Sequence, residues 1–221
     1  MDHVTTAVGA VIFTLAALLP VINPPGSAPI FLSMTPGASE ATRTTLARRI
    51  AANSFLTLVA AMLVGSYVLA FFGLALSVVK IAGGLLVGAT GWRLISAEQG
   101  ADADFASTTP VPGAEDIGRR SFYPLTFPLT IGPGSISISV TLGAGTHGYN
   151  VDSAFRIVGT IAGILIAAAT IYLCYRFATP VLRALGTTGT TVLLRMSAFI
   201  LLAVGVQIFC DGLAERFKLT G

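Results

Sequence analysis

Apolar residues run along the chain in six long stretches, near 5–34, 46–70, 74–95, 121–143, 155–178 and 190–211, and the short segments between them carry most of the charge. Each run is continuous rather than alternating, and each reaches the roughly 20 residues that an α-helix needs to cross a hydrocarbon core of about 30 Å. A barrel strand would instead show about ten alternating residues. Because lipid offers no partner to a backbone N–H or C=O, continuous runs of this length predict helices. The expected fold is all-α, a polytopic membrane bundle of six transmembrane helices. Small residues recur at helix-interface spacing, as in Gly84-x-x-x-Gly88 and Gly159-x-x-x-Gly163, which predicts close backbone packing.

Composition agrees with that solvent. Of 221 residues, 54% are hydrophobic and 10% charged, and the mean hydropathy is +0.83, which excludes a water-soluble domain of this size. No Lys or Arg precedes the Thr5–Val21 run, which leads straight into Asn23-Pro24-Pro25, so this first segment is expected to be retained rather than cleaved as a signal. The net charge of +3 is spread over loops, and no nucleic-acid partner is expected. Cys174 and Cys210 lie in apolar runs without C-x-x-C spacing, which speaks for packing rather than a disulfide or a metal site.

The basic residues set an orientation. Arg43, Arg48, Arg49, Arg93, Arg119, Arg120, Arg176, Arg183 and Arg195 fall on one side of the six spans, against Lys80, Arg156, Arg216 and Lys218 on the other. The richer side is expected to be cytoplasmic, which puts both termini outside the inner (plasma) membrane. The longest connection is polar and turn-rich, with Gln99-Gly100-Ala101-Asp102 and Thr109-Pro110-Val111-Pro112-Gly113, and reads as a cytoplasmic linker over 98–120.

That linker separates two related halves, 1–97 and 121–221. A shift of 108 positions places Pro20 on Pro128, Pro25 on Pro133, Gly26 on Gly134, Ser27 on Ser135, Ile30 on Ile138 and Gly37 on Gly145; a shift of 115 places Lys80 on Arg195 and Leu86 on Leu201. Three spans is an odd number, so the copies must have opposite orientations, as in many secondary transporters. In the second copy Arg119-Arg120 fixes the start of the fourth span near Ser121, which puts Gly132-Pro133-Gly134 near mid-membrane. By the repeat, the first span then runs over about 13–34, with residues before 13 as overhang or tilt.

Proline lacks a donor and clashes with the carbonyl four residues back, so Asn23-Pro24-Pro25-Gly26 and Ile131-Gly132-Pro133-Gly134 should break the first and fourth helices. Irregular backbone at this depth is tolerated only against protein or a water-filled cavity. Ser27 and Ser135 are expected as N-caps of the following half-helices, whose unpaired N–H groups suit a carboxylate. The candidate substrate-binding residues are therefore Asn23, Pro24, Pro25, Gly26, Ser27, Thr130, Gly132, Pro133, Gly134 and Ser135. An amino acid would place its carboxylate at such an N-terminus and its ammonium against freed carbonyls and Asn23 or Thr130. Two mutually satisfied structural kinks are the alternative.

Asn53, Gln207, Thr126, Thr130, Ser137, Ser139 and Thr141 are further polar residues within spans, although single Ser and Thr usually bond their own helix backbone. Lys80 and Arg195 sit near span starts, where they are expected to snorkel, and Asp211 is expected at an interface. The absence of H-E-x-x-H, G-x-S-x-G, Walker A and G-x-G-x-x-G gives no support to an enzyme. His3 and His147 read as solvated, and Asp102-x-Asp104 as a soluble acidic loop. No cofactor is expected, and a coupling ion, H+ or Na+, is left open.

The string Val21-Ile22-Asn23-Pro24-Pro25-Gly26-Ser27-Ala28-Pro29-Ile30-Phe31-Leu32, with Thr35 and Pro36, resembles the Asn-Pro-x-Gly signature of the MarC family of bacterial and archaeal integral membrane proteins. Phe127-Pro128-Leu129-Thr130-Ile131-Gly132-Pro133-Gly134-Ser135-Ile136 resembles that family's Pro-Leu-x-x-Gly-Pro-Gly segment. Length and motif placement match along essentially the whole chain. The family is similar to the lysine-exporter group, and members have been assigned as transporters of small neutral amino acids such as alanine or glycine; its name reflects a link to multiple antibiotic resistance. The resemblance implies a secondary transporter, exporter or exchanger, for a neutral amino acid. A non-transporting assembly or sensor protein, a channel and a drug efflux protein are the alternatives. Ile131 stands where the first copy has Asn23, so a pseudo-symmetric site is expected, with the first break selecting the solute.

Overall fold

The computed structural model describes residues 3–96, 121–145 and 151–217. The 98–120 linker, with Arg119, Arg120, Asp102 and Asp104, lies outside the described residues, as do His147 and Lys218. Those described form seven α-helices and one π-helical segment: α1 (His3–Ile22), α2 (Pro24–Ser33), α3 (Glu40–Phe71), α4 (Leu76–Ser96), the π-helix Leu125–Thr130, α5 (Pro133–Ala144), α6 (Val151–Arg176) and α7 (Ala178–Phe217). No strand is present among them.

Among the described residues, five segments are long and apolar enough to cross a membrane: His3–Ser33 taken through its break, Glu40–Phe71, Leu76–Ser96, Asp152–Arg176 and Ala178–Phe217. The chain is an integral membrane protein. The expected continuous span over 121–143 is replaced by the π-helix and the 12-residue α5, about 18 Å long at 1.5 Å per residue. The second helix starts earlier than its apolar run, because Ser39 caps it: Ser39 Oγ accepts from Thr42 N–H at 3.1 Å, and Glu40 occupies the first turn, where a carboxylate is favoured by the helix dipole. At the other end, α7 extends twelve residues upstream of its expected start at 190 and bends at Gly186, φ 65°.

Glycines set the helix crossings. A Cβ on Gly84 would strike the backbone of Phe209 and Gly205, one on Gly205 would strike Gly88, and one on Gly91 would strike Leu202. This pairs α4 with α7 in antiparallel register. On the other flank Gly159 meets Ala7 and Ala10, and Gly163 meets Val11 and Thr14, so α1 and α6 run parallel. Both G-x-x-x-G motifs are thus packing surfaces, where dispersion between closely approaching backbones replaces the hydrophobic effect that lipid does not supply.

The same parallel register corrects the expected start of the first span. α1 is helical from His3, whose ring stacks on Phe155 at 4.8 Å and bonds Asp152 at 3.1 Å. Residues 3–12 are therefore packed helix rather than overhang, because Ala7, Ala10 and Val11 supply the small face that α6 needs. Leu18, Ile22, Phe31, Ile50, Ile131 and Tyr175 belong to one buried cluster, while Phe13, Leu56, Tyr67, Phe71, Trp92 and Phe199 point outward and are exposed, as lipid-facing side chains.

Lys80 does more than snorkel, since its Nζ pairs with Glu215 at 2.5 Å. The pair is partly exposed, so Lys80→Met is expected to change stability by no more than about 1 kcal/mol, read as a small shift in thermal midpoint in detergent.

Candidate functional site

The first break is a single residue. Asn23 adopts the left-handed conformation, φ 47° and ψ 60°, between two helices that are otherwise regular; Pro20 and Pro29 sit inside them without breaking either. Asn is one of the few non-glycine residues that tolerate this region. Its Oδ1 accepts from Gly26 N–H at 3.2 Å, and its carbonyl accepts from Ser27 N–H at 3.0 Å. The N-cap of α2 is therefore Asn23 and not Ser27, because Pro24 takes the N1 position that favours proline and sets the cap one residue before it. Ser27 lies inside the first turn and donates back to the carbonyls of Asn23 at 3.1 Å and Ile22 at 3.4 Å.

This changes what the first break can bind. Pro24 and Pro25 carry no N–H, and those of Gly26 and Ser27 are bonded, so α2 presents no unpaired amide in its first turn. Replacing Asn23 by Ala should cost about 2 kcal/mol, combining loss of the cap with left-handed strain. Asn23→Gly, which keeps only the backbone freedom, should cost a few tenths. Thermal midpoints of the two variants check the order.

The second break is longer than expected and begins before Ile131. Pro124 and Pro128 remove donors from the ladder, and the chain answers with wider bonds, Leu129 N–H to Pro124 C=O at 3.2 Å and Ile131 N–H to Thr126 C=O at 2.8 Å. Phe127 departs from helical geometry altogether. Thr126 Oγ1 donates to the Ser121 carbonyl at 2.5 Å and Thr130 Oγ1 to that of Leu125 at 2.7 Å. Gly132 is the N-cap of α5, without a side-chain cap, so Ser135, like Ser27, is not a capping residue. Ser135 is 1% exposed, and its Oγ has no hydrogen-bond partner among the described residues.

Close packing brings the two breaks together. A Cβ on Gly134 would lie against Val87, near the middle of α4, and 3.5 Å from the Val21 side chain. The strongest link was not read from the sequence: Tyr175, near the end of α6. Its hydroxyl hydrogen-bonds Thr130 Oγ1 at 2.8 Å and also interacts with Ser27, while its ring stacks on Phe31 at 4.6 Å. One buried side chain thus touches both copies of the motif. A tyrosine in an apolar run does signal a hydroxyl that needs a partner, but nothing in the run names Ser27 and Thr130 as those partners.

The proposed binding residues do not all converge. Asn23 and Gly132 are half-buried; Pro24, Gly26, Ser27, Thr130, Gly134 and Ser135 are buried; Pro25 and Pro133, at equivalent places, are exposed. Of the other polar residues, Ser137 donates to the Val79 carbonyl and Thr141 to that of Ser137, both at 2.9 Å. Gln207 is exposed and donates to Asp211 at 2.8 Å, away from any buried path. Ser54, a neighbour of the half-buried Asn53, and Ser139 are fully buried with unpartnered hydroxyls. An open pocket of about 360 Å³, lined by Glu40, Ala41, Thr44, Arg176, Phe177 and Pro180, lies at the end of α6 just beyond Tyr175.

The MarC family model, that of the MarC family integral membrane proteins, matches residues 8–217. This chain belongs to the MarC family. It is similar to a UPF0056 membrane protein of Archaeoglobus fulgidus, at 28% identity over 92% of each chain. It is also similar to the UPF0056 membrane protein YvbG of Bacillus subtilis, at 29% identity over 95% of this chain and 96% of the relative. The UPF0056 inner membrane protein MarC of Salmonella typhimurium is 27% identical over 92% of this chain and 94% of the relative. No solved structure matches. Both motifs that carry the family resemblance lie inside the matched region, and in this MarC-family chain they are the two segments that meet at Tyr175.

Proposed function

We propose that this MarC-family protein is a secondary transporter of a small neutral amino acid, an exporter or exchanger working by alternating access across the inner membrane, with the solute held where the two helix breaks meet. The observation that carries this reading is the Tyr175 junction. Two irregular segments about a hundred residues apart in sequence are brought to one buried place, with Gly134 against Val21 and Val87 and unpartnered hydroxyls nearby in the chain at Ser135 and Ser139. Irregular backbone at membrane depth is tolerated where it is buried in protein or lines a cavity, and transporters place polar solutes at such segments.

The six-span inverted repeat belongs to the same proposal. If α2 corresponds to α5, α3 to α6 and α4 to α7, the packing is reciprocal: α2 lies on α6 and α7, and α5 lies on α3 and α4. The π-helix and α5 would then make the remaining span between them. The arginine-rich end, where Arg176 donates to Thr44 at 3.0 Å and Arg43 to the Thr35 carbonyl at 3.0 Å, would be cytoplasmic and the His3–Asp152 end external. The transport cycle needs no chemical step from the protein.

Counterflow across the common amino acids, in proteoliposomes holding the full chain and with or without proton or sodium gradients, tests this. Saturable counterflow of alanine or a similar solute is expected. Flux that neither saturates nor shows counterflow would indicate a channel, and no counterflow with any amino acid would overturn the substrate class.

A further inference from the structure

The two breaks differ in the donors they offer a solute. At the first, the carbonyls of Pro20 and Val21 face residues 24 and 25 in the helical ladder, and both are proline, so neither carbonyl has its helical donor. The α2 amides there are absent or bonded, as described above. At the second, the amide of Gly134 has no acceptor among the described residues, whereas Ser135 N–H and Ile136 N–H bond the Gly132 carbonyl at 3.1 and 3.3 Å. Both breaks thus leave carbonyls without a ladder donor, Leu129 facing Pro133 as Val21 faces Pro25, but only the second offers an unused donor.

Ser135 adds an independent observation. Its hydroxyl is buried at 1% exposure and unpartnered, a costly state for a polar atom unless something else satisfies it. In an α-helix the Cα–Cβ bond leans toward the N-terminus, so the Ser135 side chain, in the first turn of α5, leans toward the break. The open end of the α5 dipole adds positive potential at the same point. Gly134 in turn sits beside Val21, whose carbonyl is one of the unused acceptors.

Resting on the transporter reading above, we infer that the solute lies across the two breaks with a fixed polarity: its carboxylate at Gly134 N–H and Ser135 Oγ, its ammonium at the Pro20 and Val21 carbonyls. The second break, with no polar residue at Ile131, is then the anion subsite. The first, despite Asn23, is the cation subsite, since the Asn23 oxygen is already committed to the cap. The site takes a zwitterion, and a solute lacking either charge leaves one set of buried groups unpaired.

Binding to the full chain in nanodiscs, with alanine, alaninamide and propionate as probes, tests the polarity. Wild type should bind alanine at least tenfold more tightly than either single-charge analogue. Ser135→Ala should weaken alanine about tenfold and alaninamide little, and should raise the thermal midpoint of the ligand-free protein by removing an unpaired hydroxyl. Ser135→Cys, a weaker donor, should fall between. Ser27→Ala should weaken alanine and alaninamide alike. If wild type binds alanine and Ser135→Ala keeps the full preference over alaninamide, or if Ser27→Ala loses it, the polarity is wrong while the transporter reading stands. If wild type binds none of the three probes and no other neutral amino acid, both fall together.

Discussion

Gly134→Leu is expected to cut amino-acid counterflow severely while the protein still elutes as a single folded species. Even a Cβ at this position would collide with the Val87 side chain, which is itself buried and packed between helices. The remaining atoms of Leu would have to enter the space between α4, α1 and the start of α5, where the solute is proposed to sit. Overpacking of this kind costs about 1–3 kcal/mol in a packed interior. Falling on the binding-competent conformation, that is a loss of flux of roughly fivefold to more than a hundredfold. Gly26→Leu should act in the same direction through a different neighbour, because its Cβ would run into the Asn23 side chain and remove the α2 cap. Normal flux through Gly134→Leu would mean that the solute passes elsewhere.

Gly143→Val is expected to have the largest effect on stability. Its Cβ would meet the Met62 carbonyl and the backbone beside it. A side chain in the way can turn to another rotamer, but backbone of α3 cannot move without separating the two helices. The same holds at Gly205, whose Cβ would press into the Gly88 backbone. Each substitution should therefore cost more than the 1–3 kcal/mol of ordinary overpacking, enough to unfold a marginal protein. By contrast Gly9, which faces open space, should accept Ala with no loss. Thermal midpoints and expression yields of the three variants give the comparison, and a stable Gly143→Val would refute the crossing of α3 and α5.

These contrasts show which parts of the molecule could be read from its residues. Hydropathy runs mark the five membrane-length segments among the described residues, but not the break-up of the expected span over 121–143, and the glycine spacings mark two of the closest crossings, because both depend on composition along one helix. The breaks were legible too, since proline acts on the bonds of its own chain. Their form was not. Asn23 and Ile131 occupy matched places, yet one is a left-handed cap and the other lies in an extended turn after a π-helix. The difference arises from Pro124 and Pro128: Pro20 stands alone within an unbroken α1, whereas two prolines four residues apart exhaust the ladder before Gly132 is reached. Ser27 and Ser135 are not the caps their places in the sequence suggest, because the proline at N1 fixes the cap at the residue before it. Tyr175 was missed for another reason, namely that its role depends on which distant segments fold against it.

Occupancy of the junction of the two breaks by solute is tested by protection from thiol labelling in the reconstituted full chain. Cys174 beside Tyr175 would be replaced by Ala, and Ser27→Cys or Thr130→Cys introduced in turn, with the exposed native Cys210 retained as an internal standard. Saturating alanine is expected to slow labelling at position 27 and at position 130 severalfold while leaving Cys210 unchanged. Equal labelling rates with and without alanine at both positions, in protein that carries out alanine counterflow, would contradict the claim.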